Sequence, residues 1–381
     1  MFEAKDYVRQ INADGFKQRQ SFWLRVNLDP WLLMLLLTLT CCGLFLLYSA
    51  SDHKIATLKR QGTFYIIAYT VMIIVAQMPM LFFKRIAPFL YLFGVLLLLA
   101  VLFFGTGSKG AQRWLDIPGI IRFQPSEILK LVMPLMIAWY LSLRILPPRF
   151  SHVMGVLMLV MIPTLLIASQ PDLGTSILIA TSGLFVLLLA GLSIWYIVGA
   201  VVIGVAAAWP MWMFVLHDYQ KGRILTMLDP ERDKFGAGWN IIQSKTAIGS
   251  GGLSGKGYLQ GTQSQLNFLP ESHTDFIIAV LAEEFGLIGV LLLLGLYLAI
   301  IVRGLMICWM ADTSFNKLVA GSVTLTFFVY IFVNMGMVSG ILPVVGVPLP
   351  LVSQGGTSVV TLMAGFGLLM AISTDKQQFS R

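Results

Sequence analysis

A group of polar residues stands just before a long apolar segment of this 381-residue chain. In "LPESHTDFIIAVLAEEFG", residues 269–286, Glu271, His273 and Asp275 precede the apolar run. A carboxylate such as Asp275 can accept the proton of an attacking hydroxyl group, which is the role of a general base. Ser272 and Asp275 also fit a helix capping box, in which the aspartate would only satisfy backbone N–H groups. The adjacent Glu271 and His273 favour chemistry, because a cap needs one carboxylate and no polar neighbours.

Two further carboxylates, Glu283 and Glu284, follow inside the apolar run. At 1.5 Å per residue they lie roughly 12 Å beyond Asp275 along a helix. An acidic side chain inside a membrane costs about 2.5–3.5 kcal/mol on insertion scales and usually faces a bundle interior or a wet cavity. A buried helix contact and a substrate role therefore both remain open for this pair.

Cations and carboxylates recur at three other places in the chain. In "FQPSEILKLV", Glu127 and Lys130 are three residues apart on one helical face and can form an ion pair, or Lys130 can present a point charge to a phosphate. In "KGAQRWLD", Arg113 precedes Trp114, a residue type that more often anchors a helix end at the membrane interface than contacts a ligand. In "SQPDLGTS", Asp172 occupies a Pro/Gly-broken turn, which is tolerated at membrane depth only where it is buried in protein or lines a cavity.

The glycine-rich stretch "GSGGLSGKG", residues 249–257, superficially resembles a phosphate-binding loop. That motif needs a glycine where this chain has Ser250, and a serine or threonine where it has Gly257. The stretch is therefore not interpreted as a nucleotide site.

The composition predicts that these motifs are carried by membrane helices. The chain is 57% hydrophobic and 12% charged, whereas soluble domains carry roughly 25% charged residues. We therefore expect an all-α polytopic membrane protein with about ten transmembrane helices and no role in nucleic-acid binding. Ten apolar segments are long enough to cross a bilayer: 31–50, 63–80, 86–104, 126–146, 153–169, 174–191, 193–216, 275–302, 318–339 and 351–373.

The distribution of Lys and Arg predicts the orientation. With both termini in the cytoplasm, inner segments hold thirteen of these residues and short outer loops hold six, in agreement with the positive-inside rule. This orientation places every polar motif described above on the outer side. The predicted divisions are a cytoplasmic segment suited to lie on the membrane surface (1–30), helices one to seven (31–216), a long periplasmic loop (217–274), helices eight to ten (275–373) and a cytoplasmic tail (374–381).

Five separated motifs, in order, resemble those of the SEDS family of peptidoglycan polymerases, and most closely its elongation-specific branch. They are "KGAQRWLDI", "RFQPSEILK", "QPDLGTS", "GTQSQLNFLPESHTDFIIAVLAEEFG" and "GILPVVGVPLPLVSQGGTS", and the resemblance covers about residues 22 to 373. Two positions depart from the family pattern, because Gln354 replaces a usual tyrosine and Asn267 a frequent glutamate. No function is carried over to these two positions.

The resemblance implies an inverting glycosyltransferase that polymerises lipid II during cell elongation, with undecaprenyl pyrophosphate as the leaving group. Carried onto this chain, it makes Asp275 the catalytic base. It implies that seven further residues bind substrate or support the cavity: Arg113, Trp114, Glu127, Lys130, Asp172, Glu271 and His273.

The family also implies the surroundings of the enzyme. It implies a divalent cation, Mg²⁺ or Mn²⁺, for the pyrophosphate, and a location in the bacterial inner membrane. The expected partners are a class B penicillin-binding protein near helices eight and nine and other proteins of the elongation complex.

Two other functions are compatible with a membrane protein of this composition. A lipid II flippase would need polar groups at matching depth in both halves of the membrane, whereas the motifs here lie on one side. A non-catalytic scaffold of the elongation machinery would leave the acidic cluster without a purpose. Both readings predict that the protein makes no glycan from lipid II.

The orientation generates a first prediction. Reporter fusions after Ser151 and Asp312 should report a cytoplasmic location, and a fusion after Gly255 a periplasmic one, because the Lys and Arg bias favours cytoplasmic termini. A cytoplasmic signal at Gly255 would place the polar motifs on the wrong face and contradict the assignment.

Overall fold

Long apolar helices make up most of the computed structural model, which describes residues 26–51, 53–108, 111–117, 121–216, 218–233, 236–265 and 271–379. The predicted surface segment before residue 26 and the departure at Asn267 lie outside the described residues. The helices are α1 (Pro30–Ala50), α2 (Ile55–Gln77), α3 (Met80–Phe104), α4 (Pro125–Ser142), α5 (Phe150–Ala168), α6 (Leu173–Leu189), α7 (Ile194–Pro210), α8 (Asp218–Leu228), α9 (Ala237–Gly251), α10 (Thr262–Gln265), α11 (Ile277–Met310), α12 (Ser314–Val338) and α13 (Thr357–Phe379).

Each of the ten predicted segments coincides with a helix in the described part of the chain. Within the described residues, seven helices are long and apolar enough to cross a membrane: Pro30–Ala50, Met80–Phe104, Phe150–Ala168, Ile194–Phe214, Ile277–Met310, Ser314–Val338 and Thr357–Asp375. Helix α6 is apolar but shorter. Helices α2 and α4 carry charged residues in their first two turns, including Arg60 and Lys130. The chain is thus a nearly all-helical, multi-pass membrane protein, and ten crossings remain a prediction.

A small sheet interrupts the helices between α3 and α4. Strands β1 (Thr106–Ser108), β2 (Ala111–Ile117) and β3 (Ile121–Phe123) pair antiparallel in the order β1-β2-β3. The register places Thr106 opposite Trp114 and Leu115 opposite Phe123. The prediction of an all-α chain is wrong for this segment, which is too short and too polar to cross a membrane and can satisfy its backbone by cross-strand pairing.

Helix α12 lies at the centre of the bundle and contacts α4, α6, α11 and α13. Small and hydroxylated residues allow these close contacts, as is usual between membrane helices. The Ser322 hydroxyl donates to the Ser182 carbonyl at 2.7 Å. By contrast, none of the residues of α7 is buried. The helices that position the site are therefore α12 together with α4, α6, α11 and α13.

Helix α11 is broken at Gly286, where φ is +64°. The break receives the turn 252–257 that follows α9. The amides of Leu287 and Ile288 donate to carbonyls of this turn at 3.0 and 3.2 Å, and Lys256 N donates to the Glu283 carbonyl at 3.0 Å. The glycine-rich stretch thus supplies backbone hydrogen bonds to a broken membrane helix.

Glycines are required at this junction because the two backbones approach closely. A Cβ on Gly255 would clash with the Glu284 carbonyl, and a Cβ on Gly286 would clash with the backbone of Gly255 and Leu253. Both glycines also have positive φ. A side chain at either position would force the turn and the helix apart.

We expect Gly286→Ala to lower the thermal stability in detergent. The positive φ alone should cost about 1–3 kcal/mol, and the backbone clash adds to this. Gly295→Ala on the same helix is the matched control, since no atom lies within 4 Å of its Cβ position. Equal melting temperatures for the two variants would contradict the packing described for the break.

Candidate active site

A cavity of about 630 Å³ opens at one end of the bundle. Its walls come from the first turns of α2, α4, α6 and α13, the last turns of α12, strand β2 and the loop after α12. The lining residues are Arg60, Phe64, Arg113, Trp114, Gln124, Glu127, Lys130, Asp172, Thr175, Leu178, Tyr330, Gly346, Val347, Pro348, Gly356, Thr357 and Ser358. Five of the predicted site residues, Arg113, Trp114, Glu127, Lys130 and Asp172, therefore face one space.

Lys130 and Glu127 form an ion pair in this cavity. The Lys130 ammonium lies 2.7 Å from Glu127 Oε1, and both side chains are 9% exposed. The Tyr330 ring lies 5.3 Å from the same ammonium. The pairing that the i, i+3 spacing predicts is confirmed. The pair also lines the cavity, and binding of a phosphate by Lys130 stays a prediction.

Asp172 joins α6 to the sheet and to α4. It is the N-cap of α6, where its Oδ1 accepts from Thr175 N at 3.3 Å. Its Oδ2 accepts from Gln124 Nε2 at 3.1 Å and lies 3.6 Å from Arg113 Nε. Arg113 also donates to the Pro171 carbonyl at 2.6 Å. Asp172 thus holds an arginine at the cavity wall and closes a helix end.

Asp275 lies beside the cavity, in the turn that precedes α11. Its backbone carbonyl accepts from Asn334 Nδ2 at 2.9 Å. A Cβ on Gly346, a lining residue, would lie 3.5 Å from Asp275 Oδ2. The Asp275 carboxylate therefore lies next to the loop after α12, which forms part of the cavity wall.

The capping-box interpretation of Ser272 and Asp275 is wrong. Helix α11 begins at Ile277, its N-cap is Phe276, and no side chain caps it. The Ser272 hydroxyl donates instead to the Ala50 carbonyl at 3.1 Å. Asp275 is therefore not placed where a helix cap would require it.

Glu271 and His273 belong to the same turn but do not line the cavity. Glu271 Oε2 accepts from the Thr274 hydroxyl at 2.9 Å, and its carbonyl accepts from the amides of Thr274 and Phe276. The His273 carbonyl accepts from Gln354 N at 2.9 Å. These contacts shape the turn that carries Asp275.

Glu283 and Glu284 are buried away from the cavity lining. Glu283 Oε1 accepts from Lys256 Nζ, Thr262 N and Gln263 N at 2.7 to 3.0 Å. Glu284 accepts from the Ser49 hydroxyl on α1. The structure therefore supports the buried-contact interpretation of this pair, in which both acids join α11 to its neighbours.

Several lining residues were not predicted from the sequence. From the sequence, Arg60 served only to predict which side of the membrane its loop faces. Phe64 lies four residues later on the same helical face, with its ring 6.0 Å from the Arg60 guanidinium, and this spacing could have singled out the pair. The lining residue Tyr330 and the buried Asn334 one turn later lie within an apolar helix, where such polar residues could have been singled out. The lining residues at 346–348 and 356–358 belong to the last motif, from which no residue was assigned a role.

The protein side chains alone do not form a metal cage in the described ranges. No three His, Cys, Asp or Glu residues there lie close enough to share an ion. Magnesium, however, is commonly bound by one or two carboxylates together with substrate phosphates. Asp275 beside the cavity can supply a carboxylate for that mode of binding, whereas Glu127 and Asp172 on the cavity wall are paired with Lys130 and Arg113.

Comparison with known proteins gives the family. The family model for the FtsW, RodA and SpoVE cell cycle proteins matches residues 30–378. The chain belongs to the FtsW/RodA/SpoVE family. This is the SEDS family that the sequence motifs resemble.

Other members of the family match almost the whole chain. A peptidoglycan glycosyltransferase MrdB of Escherichia coli K12 is 54% identical over 95% of this chain and 98% of its own. A probable peptidoglycan glycosyltransferase FtsW of Geobacter metallireducens is 35% identical over 91% of this chain and 94% of its own.

Solved structures of family members have the same fold. A chain of a structure described as "Structural coordination of polymerization and crosslinking by a peptidoglycan synthase complex" has a TM-score of 0.81 at 28% identity and covers 92% of this chain and 99% of its own. The RodA protein of Thermus thermophilus gives 0.69 at 25% identity, over 92% of this chain and 97% of its own.

The departure from the family pattern at Gln354 has a structural explanation. The contact from this position to the turn of Asp275 comes from its backbone amide, which donates to the His273 carbonyl. This backbone contact does not depend on a tyrosine side chain.

The buried ion pair generates a stability prediction. Lys130→Met should cost about 3–5 kcal/mol, because it leaves Glu127 charged and unpaired in the protein interior. Glu127→Gln/Lys130→Met should recover most of the loss in a thermal melt, since no isolated charge remains. Arg232→Met breaks the exposed i, i+3 pair with Asp229 and should cost at most about 1 kcal/mol. A Lys130→Met variant that melts like Arg232→Met would contradict the pairing.

Proposed function

We propose that this chain is a peptidoglycan glycosyltransferase that polymerises lipid II during cell elongation. The observation that carries the proposal is the cavity, in which Lys130, Arg113 and Arg60 surround a space bordered by Asp275. Cations suit a lipid-linked diphosphate, and a carboxylate suits activation of a sugar hydroxyl. The names of the E. coli and Geobacter relatives support the same activity.

The proposed orientation has all ten long helices crossing the inner membrane, with both termini in the cytoplasm. The cavity supports it, because its helical walls are the start of α2, α4, α6 and α13 and the end of α12. In a bundle of alternating helices these ends lie on one side. That side is the outer one when the N-terminus is inside.

In the proposed reaction, the 4-hydroxyl of an acceptor sugar attacks the anomeric carbon of the donor. Asp275 accepts the hydroxyl proton as the new glycosidic bond forms and the bond to the phosphate oxygen breaks. A positioned general base contributes typically about 10²–10⁴ in rate. The attack and the departure occur on opposite faces of the sugar, so the configuration inverts.

The departing diphosphate gains negative charge, and the cavity cations stabilise it. Lys130 is fixed by Glu127 and Tyr330, and Arg113 by Asp172 and Pro171, so neither has to reorganise during the reaction.

The Glu127→Gln/Lys130→Met variant separates the catalytic role of Lys130 from its role in stability. It should remain folded and lose polymerisation, whereas normal turnover would assign Lys130 to stability alone.

A divalent cation is proposed to enter with the substrate diphosphate. It would be held by phosphate oxygens and at most one oxygen of Asp275, so that the other carboxylate oxygen accepts the hydroxyl proton, and it would supply charge neutralisation for the leaving group. Chelation with EDTA should abolish polymerisation and added Mg²⁺ should restore it. Full activity in EDTA would remove the cation from the proposal.

The proposed partner is a class B penicillin-binding protein that crosslinks the new strands and contacts α11 and α12. Support comes from the structurally similar chain of a peptidoglycan synthase complex, which is described as coordinating polymerisation and crosslinking. Helix α11 presents exposed apolar side chains such as Leu292 and Leu298.

A photo-crosslinker at Leu292 should capture the transpeptidase in cells. Capture by photo-crosslinkers placed on α5, but not by those on α11, would contradict this placement.

The general-base role gives a prediction for Asp275. Asp275→Asn is nearly isosteric and should bind lipid II, yet it should lose at least about 10²-fold in polymerisation rate. Asp275→Glu should recover little, since moving the carboxylate by about 1 Å can cost on the order of 10²-fold. Asp229→Asn, an exposed aspartate of the long loop, is the matched control.

The measurement is glycan formation from lipid II by the purified protein, in detergent and in liposomes. Transfer of lipid II across liposomes without glycan formation would favour a flippase, and neither activity would favour a scaffold. An Asp275→Asn variant within a few-fold of the parent would remove Asp275 from the chemistry.

A further inference from the structure

One buried amide connects the turn of Asp275 to the wall of the cavity. Asn334 on α12 is fully buried. Its Nδ2 donates to the Asp275 carbonyl at 2.9 Å and to the Val347 carbonyl at 2.7 Å. The two acceptors belong to different irregular segments, the turn 271–276 and the loop 339–356. A single side chain therefore links these two segments.

Asparagine is suited to linking two backbone carbonyls. A neutral carboxamide offers two N–H donors on one nitrogen, which no hydroxyl or aliphatic side chain provides. Both acceptors lie in non-helical backbone, where no helix ladder can satisfy them. Asn334 Oδ1 has no hydrogen-bond partner, so the donor side of the amide carries the interaction.

The connected segments meet where the proposed chemistry occurs. Val347 and Gly346 line the cavity, and the Gly346 Cβ position lies 3.5 Å from Asp275 Oδ2. A second hydrogen bond, from Gln354 N to the His273 carbonyl, joins the same two segments. Displacement of the turn would therefore move the carboxylate relative to this wall.

The same helix also contacts the cavity cation. Tyr330, one turn before Asn334, places its ring 5.3 Å from the Lys130 ammonium. Residues at i and i+4 share one face of a helix and are about 6 Å apart along its axis. Helix α12 thus contacts the proposed base through Asn334 and the proposed diphosphate-binding cation through Tyr330.

We infer that Asn334 is a positioning residue, which holds Asp275 in register with Lys130 by fixing the turn 271–276 to the loop 339–356. The inference rests on the proposed function, since it assigns a role in the same reaction. Asn334 does not touch substrate and acts through the backbone of Asp275.

The test compares two buried asparagines of α12. Asn334→Leu removes the donors and roughly keeps the side-chain size. Asn316→Leu is the matched control, because Asn316 is also buried and donates its amide to Asp375 Oδ2 at 3.0 Å near the other end of the helix. Both variants lose buried hydrogen bonds, so both should melt at lower temperature.

Lipid II polymerisation by the purified full-length proteins separates positioning from stability. Asn334→Leu should lose at least about 10-fold in kcat with KM within about threefold, because the cations are unchanged and only the base is displaced. Asn316→Leu should keep the parental kcat. A parental kcat in Asn334→Leu, or an equal loss in both variants, would overturn the inference.

A second variant covers the possibility that Asn334→Leu does not fold. Asn334→Ser keeps one donor and should give a kcat between those of the parent and of an Asp275→Asn variant, and a parental kcat would overturn the inference. A parent protein that makes no glycan would instead refute the proposed function, which makes the two failures distinguishable.

Discussion

Hydrocarbon offers no hydrogen bonds, so each break in a membrane helix must be satisfied by groups of the protein itself. This constraint accounts for the irregular regions around the site. The break at Gly286 is satisfied by the turn 252–257, whose amides and carbonyls pair with those of α11. The turn before α11 is satisfied by Asn334 and by the amide of Gln354. The candidate site lies beside the second of these regions, where the turn 271–276 meets the loop 339–356.

The same constraint applies to charge. Lys130 and Arg113 can remain at the cavity because Glu127 and Asp172 offset the cost of removing them from water. The ion pairs also fix the direction of both cations. The cavity therefore presents oriented charges whose partners belong to the protein. Loss of one partner would leave the other both uncompensated and mobile.

The sequence predicted the helical class, the positions of the apolar helices and five of the cavity residues, because long apolar runs and intramembrane charges are strong local signals. It did not predict the sheet, since β1 and β3 are three residues long and β2 seven, too short to give a strong sequence pattern. It also could not decide the role of Glu283. Its position in an apolar run is equally compatible with a substrate contact, and only the approach of Lys256 and Thr262 identifies the carboxylate as a structural acceptor. The helix start was misplaced by two residues, and with it the capping role of Asp275, because the cap depends on backbone angles that a motif does not fix.

Two main-chain carbonyls hold the turn of Asp275: its own, which accepts from the Asn334 side chain, and that of His273, which accepts from the amide of Gln354. Main-chain atoms are the same in every amino acid. Substitutions at such positions can accumulate during evolution without altering the geometry, provided that the new side chain fits its surroundings. Mutational tolerance at Gln354 would therefore be a poor guide to its importance. The stricter requirement would fall on Asn334, whose contact to the turn is made by the side-chain amide itself.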